Sequence, residues 1–304
     1  MLSHDDMLKL QAEHHDLVTI ESFRSEKQYV LHLMHQKPYE IAGEIARNKR
    51  ALDFGCNIGY GSAILNKTSQ SVTAVDVSPQ AIAAAKARYG ASGIQFRVID
   101  GHGLALEGER FDVISSFQVI EHIVDVGSYM RQLRRLLTAD GLVVLTTPNA
   151  VLRVYPGMRP WNRFHVREYT AAELETLMKQ SFKYVEIYGL FADEPLYSIE
   201  RNRVTRRRER GRIKQEKERK FAYRSIRKLK PLQKILLLDK LKAARKSRRK
   251  QSVVDPAFVE RYSTSNFRYL ADDLDNALDL LAICSESADR LAYACKQLTP
   301  RSGC

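Results

Sequence analysis

No uninterrupted apolar run in this sequence approaches the roughly 20 residues that cross a bilayer as a helix. The longest candidate is the short ILLL at Ile235–Leu238. The N-terminus, MLSHDDMLKL, lacks the basic-then-apolar order of a secretory leader. Cysteine is scarce, and Cys56, Cys284, Cys295 and Cys304 form no C-x-x-C pair, which together with the missing leader reads as reduced thiols in a cytoplasmic protein. Acids are scarce in one window only. Residues 201–250 hold 23 Lys and Arg against Glu209, Glu216, Glu218 and Asp239, a net +19, whereas the whole chain carries +13. The basic character therefore belongs to one segment, and the rest of the chain is acidic. What is present is ample apolar material, 44% of 304 residues, enough for one large domain or two modest ones.

From Arg50 to about Phe191, strand-like runs alternate with helical ones. ALDFGC, SVTAVDV, IQFRVID, FDVISSF, LVVLTTP and YVEIYGLF are short and rich in Val, Ile and Phe, as strands buried on both faces are. Between them, Ser78-Pro79 caps and opens a helix that Gly90 closes, and Thr170-Ala-Ala-Glu173 is a capping box. VGSYMRQLRRLLTADG has helical spacing and should stop at Asp140-Gly141. This alternation predicts an α/β fold with a mostly parallel sheet and helices on both faces. Four parts are expected: a helical cap over 1–49, a core over 50–199, a basic helical insertion over 200–255, and a segment over 256–304 that completes the sheet. In the last part, Leu278–Cys284 reads either as a final strand or as a continuation of the helix LADDLDNAL.

The first strand runs into LDFGCNIGYGS, with Asp53, Gly55, Gly59 and Gly61 at a strand-to-helix turn. Glycines there let a ligand approach the backbone, and the open N–H groups favour an anionic moiety. The spacing is G-x-x-x-G-x-G, not the G-x-G-x-x-G of a dinucleotide site, and the Asp53 carboxylate would repel a pyrophosphate. It suits an ammonium instead. Asp76 ends the second strand, placed for both hydroxyls of a ribose, and Asp100 ends the third, placed for an adenine amine. An amino acid, a ribose and an adenine together describe S-adenosylmethionine.

LDFGCNIGYGS, AVDVSP, FDVISSFQVIEHI, LRRLLTADGLVVLTTPN and NRFHVREYTAAEL resemble, in order and spacing, the successive motifs of class I S-adenosylmethionine-dependent methyltransferases. The resemblance covers about residues 30 to 190 and implies a Rossmann-like, seven-stranded sheet with one antiparallel strand. It assigns Asp53, Gly55, Cys56, Gly59, Tyr60, Asp76, Val77, Asp100, Gly101 and Phe117 to the cofactor. Asn57 stands where the family usually has its middle glycine, and Asn tolerates the left-handed backbone the turn requires.

Methyl transfer from a sulfonium asks the protein to align the reactants, exclude water and deprotonate a hydroxyl acceptor. Glu121 and His122, just past the fourth strand, sit at the edge where open parallel sheets bind ligands. With His165 they are the candidate catalytic residues. E-x-x-E-H followed by a later His resembles a metal-dependent subset of the superfamily, which includes small-RNA terminal ribose methyltransferases and ubiquinone-type O-methyltransferases. That resemblance makes Gln118, Glu121, His122 and His165 candidate ligands for Mg or Mn. Gln118 replaces the first Glu, so weaker metal binding is expected, which a Glu at 118 should tighten.

TTPN followed by FHVREYT and DDLDNALDLLAIC resembles bacterial methyltransferases that modify sugars of surface polysaccharides. The expected acceptor is a hydroxyl of such a glycan or of a lipid-linked one, with Tyr155, Trp161, Phe164 and Tyr169 suited to stacking on a sugar ring. RNA ribose, a quinone-type small molecule, and a non-catalytic cofactor-binding module remain alternatives. The basic segment 201–250 suits anionic lipid at the inner membrane face, another polyanion such as nucleic acid, or homo-oligomerisation.

Overall fold

The computed structural model of the protein describes residues 23–99, 106–225 and 253–298. The expected adenine contacts Asp100 and Gly101, the first 22 residues of the cap, the second half of the basic segment and Cys304 lie outside the described residues.

The apolar runs are strands: β1 (Arg50–Phe54), β2 (Ser71–Asp76), β3 (Gln95–Val98), β4 (Phe111–Phe117), β5 (Leu137–Pro148) and β6 (Tyr184–Ala192), followed after the insertion by β7 (Phe267–Leu270) and β8 (Asp279–Ser285). Among the described residues the helices are α1 (Glu26–Ile45), α2 (Tyr60–Leu65), α3 (Pro79–Tyr89), α4 (Val126–Arg135), α5 (Ala150–Arg153), α6 (Ala171–Lys179), α7 (Leu196–Ser225), α8 (Pro256–Arg261) and α9 (Ala288–Lys296). All strands join one sheet in the order β3-β2-β1-β4-β5-β8-β6-β7. The fold is the Rossmann-like, mostly parallel one expected, but the sheet has eight strands where seven were expected, and two of them run against the rest. β8 inserts antiparallel between β5 and β6, and β7 adds a four-residue antiparallel edge to β6. Residues 279–285 are a strand, not a helix, because every side chain from Asp279 to Ser285 is buried between neighbours on both sides.

The alternation within each run builds the two layers of the core. Ala51, Val72, Ala74, Val113, Leu142, Val144, Leu281 and Ile283 face one side, where α1 packs. Leu52, Val75, Ile114, Val143, Leu145, Leu280 and Ala282 face the other, against residues of α4 and α6. Local signals set several boundaries. Ser78 Oγ accepts the Ala81 N–H at 3.2 Å, and the Thr170/Glu173 capping box is complete. The Asp140-Gly141 turn is different: α4 already ends at Arg135, and Leu137 pairs with Phe111 before the register shifts between Phe111 and Val113. The turn residues are absorbed into a bulge within β5, anchored where Ser285 Oγ donates to the Gly141 carbonyl at 3.0 Å.

Strand order reverses at the β1/β4 pair, which opens a crevice at the carboxyl ends of the parallel strands. α1 packs on α2, β4 and α7, so the described part of the cap and the start of the insertion both rest on the core. The insertion's first helix begins at Leu196, four residues before the expected boundary.

Candidate active site

The loop between β1 and α2 is held in three successive left-handed steps, at Gly55, Asn57 and Gly59, so Asn57 takes the backbone region expected of it. Gly59 permits nothing larger: a Cβ there would lie 2.8 Å from the Phe96 ring in addition to the left-handed strain. Asp76 ties this loop to the next, since one carboxylate oxygen accepts the Asn57 N–H and the other the Ser78 N–H, both at 2.9 Å. Val77 is half-buried beside it, and Cys56 is buried beneath the loop.

Asp53 is wholly buried at the end of β1. Ser62 Oγ donates to it at 2.6 Å and Tyr39 Oη at 3.3 Å. Burial pushes its carboxyl up to about 7, against the pull of those two hydrogen bonds. Tyr39 in turn meets Tyr60 and Phe117 edge-on, with ring centroids 5.7 and 4.7 Å away. The structure thus brings Asp53, Cys56, Tyr60, Asp76 and Phe117 around one corner of the crevice.

One strand further along the edge, the β4–α4 loop makes a turn of 3-10 helix at Ile120–His122. Glu121, His122 and His165 place one ligand atom each within 4.8 Å of one another, and the two imidazoles meet edge-on at 4.8 Å. His122 Nδ1 lies 3.0 Å from the Phe164 carbonyl, which can only accept, so Nδ1 carries the proton and Nε2 is the basic nitrogen. His165 is oriented in the same way: Nδ1 donates to Glu168 at 2.9 Å. Glu168 is clasped by Arg153 Nε at 3.0 and 3.1 Å. Burial would raise its carboxyl, but the His165 hydrogen bond and the Arg153 charge hold it below the usual carboxylate range. Glu121 shows the opposite balance. Burial raises its carboxyl, Thr147 donates to Oε2 at 3.0 Å, and the buried Oε1 has no hydrogen-bond partner. Two basic imidazole nitrogens and an unsatisfied carboxylate oxygen, each ring backed by a fixed acceptor, are a donor set that a divalent cation fits.

Gln118 stands apart from these three. Its backbone is left-handed, with φ of 59°, and its Nε2 donates to Asp279 Oδ2 at 2.7 Å and Thr146 Oγ1 at 3.2 Å. Asp279, the first residue of β8, is a buried acid that sequence reasoning missed. Its signal was visible only as a charge opening an otherwise apolar run.

Four aromatic residues were expected to stack on a sugar. Tyr155, Trp161 and Phe164 are covered instead by Arg208, Arg153 and Arg163, with guanidinium carbons 4.4, 4.3 and 4.6 Å from the ring centres, and Tyr169 is buried in the core. The loop carrying them docks on α7. Gly211 lies so close to Trp161 and Met158 that a Cβ would come within 2.7 Å of both. Gln215 donates to the Arg159 carbonyl at 2.8 Å, and Arg208 to the Val151 carbonyl at 3.1 Å. The opposite face of α7 exposes Arg206, Arg210, Lys217 and Lys220 around an exposed Ile213, at the spacing of one helix stripe.

Residues 23–185 match the sequence model of a family described as a methyltransferase domain. A probable S-adenosylmethionine-dependent methyltransferase of Mycobacterium tuberculosis is 33% identical over 159 residues, 52% of this chain and 57% of that protein. A ubiquinone biosynthesis O-methyltransferase of Azorhizobium caulinodans is 31% identical over 162 residues, 47% of this chain and 62% of that protein. The chain thus spans less than two thirds of the length of these relatives. The crystal structure of the N-methyltransferase NodS of Bradyrhizobium japonicum with S-adenosyl-L-homocysteine superposes with a TM-score of 0.39 at 19% identity, over 48% of this chain and 74% of that one.

Proposed function

The chain belongs to this methyltransferase-domain family, and on that premise we propose that it is an S-adenosylmethionine-dependent O-methyltransferase acting on a sugar hydroxyl of a surface polysaccharide or lipid-linked glycan. The observation that carries the reading is the Glu121, His122 and His165 cluster, one strand along the sheet edge from the glycine loop. An amine or thiolate acceptor would have little use for two oriented imidazoles; a hydroxyl must lose its proton. Charged and acidic groups beside Glu121, namely Arg153 and Asp279, favour a polyhydroxyl acceptor over an apolar quinone. The basic stripe of α7 supports contact with an anionic lipid surface at the inner membrane face. No helix among the described residues is long and apolar enough to cross a membrane.

When bound, S-adenosylmethionine supplies a methyl group on a good leaving group, and a divalent ion would acidify the acceptor hydroxyl. The protein's tasks are then distributed as follows. Asp53 faces the ammonium and Asp76 the ribose hydroxyls. With no ion held there, His122 or His165 would take the acceptor proton on Nε2, and the Glu168 carboxylate behind His165 would stabilise the resulting imidazolium. Glu121, His122 and His165 would hold the ion through those same Nε2 atoms and the Glu121 Oε1.

Transfer of a labelled methyl group to cell-envelope glycans, set beside RNA, tests the acceptor. Labelled RNA with unlabelled glycan would replace this reading with ribose methylation, and binding of S-adenosylhomocysteine without transfer to any acceptor class would favour the non-catalytic module. For the metal, chelation should lower activity roughly tenfold or more, with Mn restoring it; full activity in chelator leaves general-base chemistry alone.

Asp53 gives a pH dependence. Protonated below about pH 7 and ionised above it, the carboxyl attracts the cofactor's ammonium only in the ionised form. S-adenosylhomocysteine affinity should therefore rise about tenfold between about pH 6 and about pH 8. In Asp53→Asn the slope should vanish, and calorimetry at the two pH values measures it.

A further inference from the structure

From residue 154 to 170 the chain forms neither helix nor strand, and His165 lies in that stretch. A side chain that acts at a fixed place needs a rigid neighbour, which its own loop does not provide. The ring is set by Glu168, whose Oε1 accepts the Nδ1–H at 2.9 Å. Glu168 is set in turn by Arg153, but not through the usual fork. Both contacts, at 3.0 and 3.1 Å, come from the single Nε–H, which divides itself between the two carboxylate oxygens. Two parallel N–H groups fix a guanidinium in the carboxylate plane; one divided N–H does not. The orientation of Arg153 is therefore decided by what its guanidinium lies on. That is the Trp161 ring, whose centre is 4.3 Å from the guanidinium carbon.

α7 holds both ends of this contact. Trp161 Nε1 is buried with no hydrogen-bond partner among the described residues, so packing places the indole. Gly211 of α7 supplies the packing surface, close enough that a Cβ there would meet Trp161 Cβ at 2.7 Å. Nearby, the Gln215 amide clasps the Arg159 backbone in both directions, accepting its N–H at 3.1 Å and donating to its carbonyl at 2.8 Å. At the other end, α5 is only four residues long and packs along α7, so most of its carbonyls lack partners inside it. Arg208 of α7 answers one of them, donating at 3.1 Å to Val151, two residues before Arg153.

We infer that α7 braces His165: by fixing Trp161 and α5 it fixes Arg153, and through Arg153 the Glu168 carboxylate that sets the ring. Arg153 and Trp161 are positioning residues, and neither has to touch the acceptor. The inference rests on the reading above that places His165 at the acceptor, as base or as ligand. It gives the start of the basic insertion a part in catalysis that its charge alone does not suggest.

The test uses the full chain with isotopically labelled histidine and is read by nuclear magnetic resonance. His165→Ala identifies the His165 Nδ1–H resonance among those of the eight histidines. S-adenosylhomocysteine calorimetry checks that each variant is folded, and labelled methyl transfer to cell-envelope glycan gives the rate at saturating cofactor. Trp161→Leu keeps an apolar side chain but removes the ring face, whereas Gly211→Ala makes α7 a better helix and yet pushes on Trp161. Both should shift or broaden the resonance and lower transfer about tenfold or more, the size expected when the partners behind an oriented histidine are disturbed. Cofactor affinity should stay near that of the wild type. Trp161→Phe, which returns a ring to Arg153, should recover both the resonance and the rate. In a His165→Ala background, Trp161→Leu should cost no further rate, because the brace acts only through that imidazole. An unmoved resonance in both Trp161→Leu and Gly211→Ala, or a full further loss in the His165→Ala background, overturns the brace and leaves His165 at the acceptor. A shifted resonance with unchanged transfer keeps the brace and takes from His165 its role there.

Discussion

His165→Ala should lower methyl transfer by about 100- to 10,000-fold, with S-adenosylhomocysteine affinity unchanged. The separation follows from the architecture. His165 lies on the loop after β5 and touches Glu168 and the His122 ring, while the Asp53 and Asp76 corner belongs to β1 and β2. The loss should appear in kcat, because the imidazole acts on a proton that moves only in the transition state. His122→Ala should behave alike, and the double variant should fall far short of the summed losses, since the two rings serve one acceptor. Single-turnover rates at saturating cofactor, beside calorimetric Kd values, measure both. Near-wild-type turnover in either single variant would strip that histidine of its assigned role.

Gly61→Val should destabilise the protein by about 3 kcal/mol, the upper end of overpacking losses, and weaken cofactor binding with it. A Cβ at Gly61 would sit 2.0 Å from the Tyr39 ring, which is itself wedged between Tyr60 and Phe117 and cannot swing away. Displacing Tyr39 also removes its hydrogen bond to Asp53. Adding Tyr39→Ala to Gly61→Val makes room for the new methyls, so the double variant should be more stable than the summed single losses predict. Denaturant unfolding across the four-member cycle reads the coupling; strictly additive losses would mean that the clash is relieved elsewhere.

The cofactor corner was legible in the sequence because it is local. Strand, glycine turn and helix follow one another within LDFGCNIGYGS, and Asp76 stands at the end of the next apolar run, so each element carries its own signal. Glu121, His122 and His165 were legible as residue types, whereas their convergence depended on α4 and β5, which lie between them, returning the chain to the same edge of the sheet. Gln118 and Asp279 show where such reading stops. They are 161 residues apart, and nothing near either one announces the other. β7 escaped for another reason: four residues at a sheet edge, two of them exposed, are too few for alternation to speak. Asp140-Gly141 misled because a bulge and a turn use the same residues, and only the pairing of Phe111 with Leu137 distinguishes them.

The docking of α7 onto the aromatic loop through Gly211, Gln215 and Arg208 bears on how such an enzyme diversifies. The helix and the loop hold each other through these anchors, and α7 packs as well on α1, the helix whose Tyr39 donates to Asp53. Replacing the helix alone would strand Trp161 and Met158 against the wrong surface, so the two segments should be found changing together.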